Sequence, residues 1–487
     1  MSDVEPRPGS GTTVNLSLIS HTNVGKTALA RTLLGRDVGE VRDAAHVTDL
    51  STGYVLVQSS EDTLMLWDTP GFGDTARLVS RLKMSGNPIA WFLTQAWDRW
   101  RERPLWSSQQ AIKNAREQAD VVLYLVNAAE DPAAASYVAL EMEVLGWIGK
   151  PVVVLLNQMG PPREDISSEI ARWREVGSPG LVRAVLPLDA FARCWVQEVA
   201  LLKTVEPLLP PGKAHAMASL SRRWDDLNRA RFESSMNVLA RYLQRAARDY
   251  QEVDDHRWQG KVAGALTGKS GGDRAARKAM ASLTTRLAEM TAASTDELIR
   301  LHNLSGKAAH TVLERVSNDY AHQAKAPEGA VAALGGIFSG AVGGLAADLA
   351  VGGLTLGGGM IVGAILGALG GTGLAKGLNL ARGDDGASVR WSGEFLERLT
   401  VTTLLRYLAV AHFGRGRGEW SEGEHPDFWQ PLVEEAVTHR KTELARIWKA
   451  TASPSEANTG EVAALSRLLT ETGLVILERL YPQSGST

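Results

Sequence analysis

An apolar run at Val14–Ile19 leads directly into the segment Ser20–Thr27, which reads SHTNVGKT, and this feature constrains the fold most. A helical pattern begins straight afterwards at Ala28. A strand, a glycine-containing loop and a helix in this order are the context of a phosphate-binding loop, where backbone N–H groups at a helix N-terminus surround phosphate oxygens. Ser20 stands where the usual motif has its first glycine, so a chance Gly-Lys-Thr is the alternative interpretation.

The residue types of this loop suit phosphate chemistry. Lys26 can neutralise the β- and γ-phosphate oxygens, the Thr27 hydroxyl can coordinate Mg²⁺, and Gly25 permits the tight turn. The predicted nucleotide-binding residues of this loop are Asn23, Val24, Gly25, Lys26, Thr27 and Ala28.

A second motif, Asp68-Thr-Pro-Gly71, follows another apolar run. An aspartate at the carboxyl end of a strand beside a phosphate-binding loop can hold Mg²⁺, and Gly71 can present its N–H to a γ-phosphate. An ordinary Pro-Gly turn is the alternative for this segment by itself. Its spacing after Gly-Lys-Thr favours the nucleotide interpretation.

Short apolar runs alternate with helical stretches from about residue 14 to residue 187. Such alternation predicts an α/β domain with a mainly parallel sheet. Only Ser59–Thr63 separates the second run from the third, which is hairpin spacing and predicts one antiparallel edge strand. The runs are Val14–Ile19, Gly53–Gln58, Leu64–Trp67, Val121–Val126, Val152–Leu156 and Leu181–Leu186.

Asn23–Thr27 together with Asp68–Gly71 resembles the first and third motifs of the Era/TrmE-like branch of translation-factor-related P-loop GTPases, over about residues 13–200. The resemblance implies GTP and GDP as ligands and Mg²⁺-dependent hydrolysis, with Lys26, Gly71 and a switch I threonine as catalytic residues. That threonine is Thr48, with Thr52 as the alternative, so the implied metal ligands are Thr27, Thr48 and Asp68. A K⁺ ion coordinated by Asn23 is also implied.

Two positions depart from the family pattern. Phe72 stands where Ras-like proteins have a glutamine that orients water, and we therefore expect slow intrinsic hydrolysis. Asn157-Gln-Met-Gly160 replaces Asn-Lys-x-Asp, so the carboxylate that recognises guanine is missing. The resemblance implies Asn157 and Gln158 as nucleotide-binding residues, in addition to Asp68 and Gly71. Asp189 is a candidate replacement, and the preference for GTP comes from the resemblance.

Charge and cysteine content exclude some classes of partner and of site. The 52 basic and 55 acidic residues leave a net charge of −3, which gives no electrostatic case for nucleic acid. Cys194 is the single cysteine, so an internal disulfide and a cysteine-based zinc site are excluded, as suits a reducing compartment. The polar residues 1–12 predict a disordered lead-in and no signal peptide.

The sequence predicts five regions. A Pro/Gly-rich segment, 207–212, ends the α/β domain, and helical periodicity follows it. One face of that helix carries Phe232, Met236, Leu239, Leu243, Ala246 and Tyr250. The predicted regions are a disordered 1–12, a G domain at 13–206 with an insert at about 84–118, a helical domain at 207–325, an apolar hairpin at 326–382 and a helical part at 383–487.

The insert at about 84–118 is rich in tryptophan and carries Trp91, Trp97, Trp100 and Trp106. One interpretation is a surface that docks a protein partner, a second copy or a membrane. The other is a buried helix that covers the core or packs on the helical domain.

Residues 329–380 contain 17 glycines among small apolar residues, with glycines at every fourth position from Gly359 to Gly371. Two uncharged stretches, Gly329–Ala347 and Leu349–Ala375, are long enough to cross a bilayer. Basic residues on both sides favour a hairpin whose two ends are cytoplasmic. A soluble Gly/Ala hairpin sheathed by neighbouring helices is the alternative, as is a hairpin released by nucleotide state.

These features together predict a Mg²⁺-dependent GTPase switch whose all-α C-terminal region contacts the cytoplasmic membrane. The expected location is the cytoplasm, at the inner membrane. The alternatives are a soluble GTPase that assembles ribosomes or RNA, and a membrane structural or pore-type protein regulated by its nucleotide domain.

Overall fold

The computed structural model describes residues 11–35, 51–84, 86–95, 102–157, 166–188, 194–253, 274–304, 378–383, 386–412, 428–451 and 459–482. Several predicted features lie outside these ranges: Thr48, Trp97, Trp100, Gln158, Gly160, Asp189, the first ten residues and the apolar block as far as residue 377.

A six-stranded sheet forms the centre of the N-terminal region. Its strands are β1 (Thr13–Ile19), β2 (Thr52–Gln58), β3 (Thr63–Asp68), β4 (Val121–Asn127), β5 (Val152–Asn157) and β6 (Val182–Pro187), in the order β2-β3-β1-β4-β5-β6. All neighbours are parallel except β2, which pairs antiparallel with β3. The predicted α/β fold with one antiparallel edge strand is therefore confirmed.

Helices cover both faces of this sheet. They are α1 (Lys26–Leu34), α2 (Thr75–Leu82), α3 (Pro88–Thr94), α4 (Arg103–Glu117), α5 (Ser136–Ile148), α6 (Ile166–Arg174), α7 (Trp195–Val205) and α8 (Pro211–Arg248). Alternate strand residues enter two different cores because successive side chains point to opposite faces. Leu123 and Leu125 lie in the core with Leu29 of α1, whereas Tyr124 and Val126 lie in the core with Ile112 of α4.

The described part of the tryptophan-rich insert packs on the sheet. Helices α3 and α4 bury Ile89, Phe92 and Ile112 in the second of these cores, and Trp91 is half-buried against it. For these helices the structure shows the core-covering arrangement.

The described residues divide into two compact units. The first contains the residues up to Arg229, with His412 and the residues from Leu480 onwards, and the second contains the rest. The division falls within the long helix α8. Cys194 is buried in the first unit, and burial raises the pKa of its thiol to about 12, as suits a small hydrophobic residue.

The second unit is largely helical, as predicted, but it also contains a three-stranded antiparallel sheet. Its elements after α8 are β7 (Tyr250–Val253), α9 (Arg274–Leu301), β8 (Leu378–Gly383), β9 (Gly386–Trp391), α10 (Gly393–Ala411), α11 (Trp429–His439), α12 (Lys441–Thr451) and α13 (Thr459–Leu480), with strand order β7-β9-β8. Residues 378–382 lie in β8 and not in a helical hairpin, because their backbone pairs with β9.

Tyr250 also differs from its predicted place on a helix. Helix α8 ends at Arg248, and Tyr250 begins β7 opposite Arg390 with about half of its surface exposed. Phe232, Met236 and Leu239 are buried, as the helical periodicity predicts. No helix in the described part of the chain has the length and apolar composition that crossing a membrane requires.

Candidate nucleotide site

The loop between β1 and α1 adopts left-handed backbone conformations at two positions. Asn23 has a φ of 66° and Gly25 a φ of 103°. Such values favour glycine and, to a lesser degree, asparagine. Gly25 precedes the first residue of α1, so the loop passes directly into a helix N-terminus whose N–H groups can bind an anion.

Lys26 is buried within this loop. Its Nζ donates a hydrogen bond to Ser20 Oγ at 2.8 Å and approaches the His21 carbonyl oxygen at 3.4 Å. Burial lowers the pKa of Lys26 to about 8, and the charges of Asp68 and Glu141 oppose that decrease. The ammonium group is therefore held at the loop and is poorly solvated, as a phosphate-binding lysine requires.

Thr27 and Asp68 meet at the ends of two adjacent elements. The Thr27 hydroxyl donates a hydrogen bond to Asp68 Oδ2 at 2.7 Å, while Oδ1 is buried without a hydrogen-bond partner among the described residues. Burial raises the pKa of Asp68, and the Thr27 hydrogen bond and the charge of Lys26 lower it in part. A carboxylate oxygen with unused acceptor capacity beside a hydroxyl is a donor set that suits Mg²⁺.

Gly71 lies against the loop at a distance that excludes a side chain. A Cβ at this position would lie 2.9 Å from Thr22 Cα and 3.0 Å from Lys26 Nζ. Backbone hydrogen bonds hold the next residue in place, since Phe72 N–H donates to the Ser20 carbonyl and Thr22 N–H donates to the Phe72 carbonyl. The segment after β3 therefore closes onto the phosphate-binding loop.

Asn157 reaches the same loop from the end of β5. Its Nδ2 donates a hydrogen bond to the Val24 carbonyl oxygen at 2.8 Å, and its side chain is buried. A Cβ on Gly25 would lie 3.1 Å from that Nδ2. The asparagine thus ties the loop to β5.

The structure brings most predicted residues together at the carboxyl ends of β1, β3 and β5. These are Asn23, Val24, Gly25, Lys26, Thr27, Ala28, Asp68, Gly71 and Asn157. The roles of these residues, and those of Thr48 and Gln158 outside the described ranges, stay predictions. The alternative switch I residue, Thr52, begins β2 opposite Asp68.

Sequence reasoning missed three polar residues of this site. Ser20, which it treated only as a departure from the usual glycine, places its hydroxyl on Lys26. The partly exposed His21 pairs with the buried Glu141, with 2.7 Å between Nδ1 and Oε1. Glu141 could have been found as a glutamate on the buried face of a helix. Nothing in the sequence indicates that it pairs with His21.

Two family models together match most of the chain. One is described as a 50S ribosome-binding GTPase and matches residues 15–158, and the other is described as a domain of unknown function, DUF3482, and matches residues 181–470. No curated protein matches the chain.

Solved structures similar to this chain include two GTPases. A variant of Era from Aquifex aeolicus bound to GDP·AlF₄⁻ is 21% identical, with 41% of this chain and 57% of that chain covered and a TM-score of 0.31. NFeoB from S. thermophilus bound to GDP·AlF₄⁻ and K⁺ is 14% identical, with 42% and 77% covered and a TM-score of 0.24. The chain spans a little over half the length of the Era structure.

The phosphate-binding loop, the sheet order and the family match agree for the N-terminal domain, which is a GTPase G domain of the nucleotide-hydrolysing type. The second match covers more than half of the chain. The chain therefore belongs to the family defined by the DUF3482 domain, here preceded by a GTPase G domain.

Proposed function

We propose that this protein is a Mg²⁺-dependent GTPase switch that hydrolyses the β–γ phosphoanhydride bond of GTP. The observation that carries the proposal is the convergence of Lys26, the Thr27–Asp68 pair and Gly71 at one edge of the sheet. A lysine, a metal-binding hydroxyl with its carboxylate, and an N–H for the γ-phosphate are what this reaction needs.

In the reaction, water attacks the γ-phosphorus and the β–γ bridging oxygen leaves with GDP. Lys26 neutralises charge on the β- and γ-oxygens, and the Gly71 N–H donates to the γ-phosphate. Thr27 and Asp68 would hold Mg²⁺, which neutralises phosphate charge when bound. Electrostatic stabilisation and positioning are thus the contributions of this chain.

Phe72 cannot orient the attacking water, because its side chain has no polar atom and is fully buried in the core. We therefore propose a slow intrinsic rate, increased by K⁺ held at Asn23 or by a partner protein. If the hydrolysis rate rises severalfold when KCl replaces NaCl, the acceleration comes from K⁺. Equal rates in the two salts would favour acceleration by a partner protein.

The proposal is tested by calorimetric titration of the full chain with GTP, ATP and XTP in the presence of Mg²⁺. We expect GTP to bind most tightly and Lys26→Ala to weaken binding by roughly a hundredfold or more, since a buried charge on the phosphates is lost. Lys113→Ala, which removes an exposed lysine of α4, is the matched control. Equal binding by Lys26→Ala and the control would overturn the assignment.

We also propose that residues 329–380 bring the protein to the cytoplasmic face of the inner membrane. The support is the sequence alone, namely two uncharged stretches of membrane-spanning length with basic residues on both sides. In liposome flotation, the full chain should float and a chain lacking 329–380 should not. If both stay in the soluble fraction with GDP and with a GTP analogue, the membrane proposal fails.

A further inference from the structure

A fully buried carboxylate lies behind the phosphate-binding loop. Glu141 of α5 has no exposed surface, and its two oxygens contact three different elements. Oε1 faces His21 Nδ1 at 2.7 Å and accepts a hydrogen bond from the Thr75 hydroxyl at 3.0 Å, while Oε2 accepts one from the Tyr124 hydroxyl at 2.6 Å. One carboxylate thus joins the phosphate-binding loop, the first residue of α2 and the central strand β4.

The His21 ring is fixed by a second residue of the same helix. The Tyr137 ring packs against it with ring centroids 4.4 Å apart and the ring planes tilted by 32°. The Tyr137 hydroxyl donates to Glu130 at 2.6 Å. Tyr137 and Glu141 lie four residues apart, so they project from the same face of α5. Two contacts from one rigid helix therefore orient a side chain of the phosphate-binding loop.

Glu141 also acts on the segment that carries Gly71. That segment ends at Thr75, whose hydroxyl donates a hydrogen bond to Glu141. Backbone hydrogen bonds of Phe72 with Ser20 and Thr22 attach the segment to the phosphate-binding loop. Gly71 directly precedes the attachment at Phe72 and lies against Lys26 Nζ. Loss of the Thr75 hydroxyl would remove the hydrogen bond that ties the first residue of α2 to Glu141.

Packing by itself does not account for Glu141. A buried carboxylate loses hydration, and an apolar residue of similar size costs less in a core. Its neighbours Val138, Met142 and Val144 on α5 are apolar and buried. A charged group kept at such a position, with its oxygens on the loop and on α2, suits a positioning role.

We propose that Glu141 is a positioning residue that, through His21 and Thr75, holds the Gly71 segment closed over the γ-phosphate position. This inference rests on the proposed function. Side-chain contacts that hold the segment in this position would favour a nucleotide whose γ-phosphate reaches Gly71. GDP, which has no γ-phosphate, gains nothing from the arrangement.

The test compares Thr75→Val and Glu141→Gln in the full chain, by calorimetry with GDP and with a non-hydrolysable GTP analogue, and by turnover. Thr75→Val keeps the side-chain shape and removes only the hydroxyl. We expect each variant to lose roughly tenfold in analogue affinity and in kcat, the size of one charge-assisted hydrogen bond, with GDP affinity unchanged. The double variant should lose no more than Glu141→Gln, because Thr75 acts through its hydrogen bond to Glu141.

Glu143→Gln is the matched control. Glu143 lies on the same helix and pairs with Lys83 next to α2 at 3.0 Å, but both side chains are partly exposed. We expect its GDP and analogue affinities to equal those of the unmodified chain. Equal losses of GDP and analogue affinity in Thr75→Val would show a merely structural role, and unchanged analogue affinity would also overturn the inference. If the unmodified chain binds neither nucleotide, the proposed function fails instead.

Discussion

Gly71 of the first unit and Gly473 of the second both lie so close to neighbouring atoms that a side chain would clash. A Cβ on Gly71 would lie 2.9 Å from Thr22 Cα, and a Cβ on Gly473 would lie 2.9 Å from Phe232 Cζ. The neighbours differ in kind. Gly71 approaches the backbone and the lysine of the phosphate-binding loop, whereas Gly473 of α13 approaches a buried aromatic ring of α8.

The buried polar groups of the two units differ in the same way. In the first unit Lys26, Asp68 and Asn157 converge on one edge of the sheet, and Oδ1 of Asp68 has no hydrogen-bond partner among the described residues. In the second unit the hydroxyls of Thr295 and Thr400 donate to carbonyl oxygens four residues earlier in their own helices. Under the proposed function, close contact and buried polar groups serve ligand binding in the first unit and packing in the second. Substitutions should separate the two roles.

The largest effect is expected from Asp68→Asn. Loss of the carboxylate that is proposed to bind Mg²⁺ should lower Mg²⁺-dependent turnover roughly a thousandfold. Stability in urea at pH 7 should stay the same or rise, because burial raises the pKa of Asp68 and the charged form is disfavoured in the fold. Asp120→Asn, which breaks the ion pair with Lys213 in the same unit, is the control and should keep its turnover.

Gly71→Ala should have the next largest effect. The added methyl group must displace Thr22 or Lys26 Nζ. Misplacing groups that contact the reacting phosphate costs roughly a hundredfold in turnover. Gly86→Ala adds a methyl group with nothing within 4 Å and serves as the control. Turnover of Gly71→Ala equal to that of the control would show that the close approach at Gly71 has no catalytic purpose.

Gly473→Ala should have the smallest effect, and on stability alone. The clash with Phe232 should cost about 2 kcal/mol, offset in part by about 1 kcal/mol of helix propensity, so unfolding in urea should show a net loss of about 1 kcal/mol. Gly393→Ala, with open space around it, lacks the clash. A fall in turnover of Gly473→Ala at unchanged stability would contradict the division of roles between the units.

The sheet could be predicted because its signals are local. Six apolar runs and one hairpin spacing marked the strands, and each lies within a residue or two of its predicted position. The strands β7, β8 and β9 were not predicted, since their pairing is not local: Tyr250 pairs with Arg390, far along the chain. Nothing within a few residues of Tyr250 shows that its helix has already ended.

The sequence by itself determined the two motifs of the candidate site, Ser20–Thr27 and Asp68–Gly71. They can be recognised because a phosphate-binding loop needs fixed residue types at fixed spacing. The tertiary structure alone decided which groups surround it. His21 and Glu141 lie 120 residues apart, and their pairing exists only because α5 packs beside β1 and β4. Long-range packing, which no local pattern encodes, thus placed a buried charge behind the phosphate-binding loop.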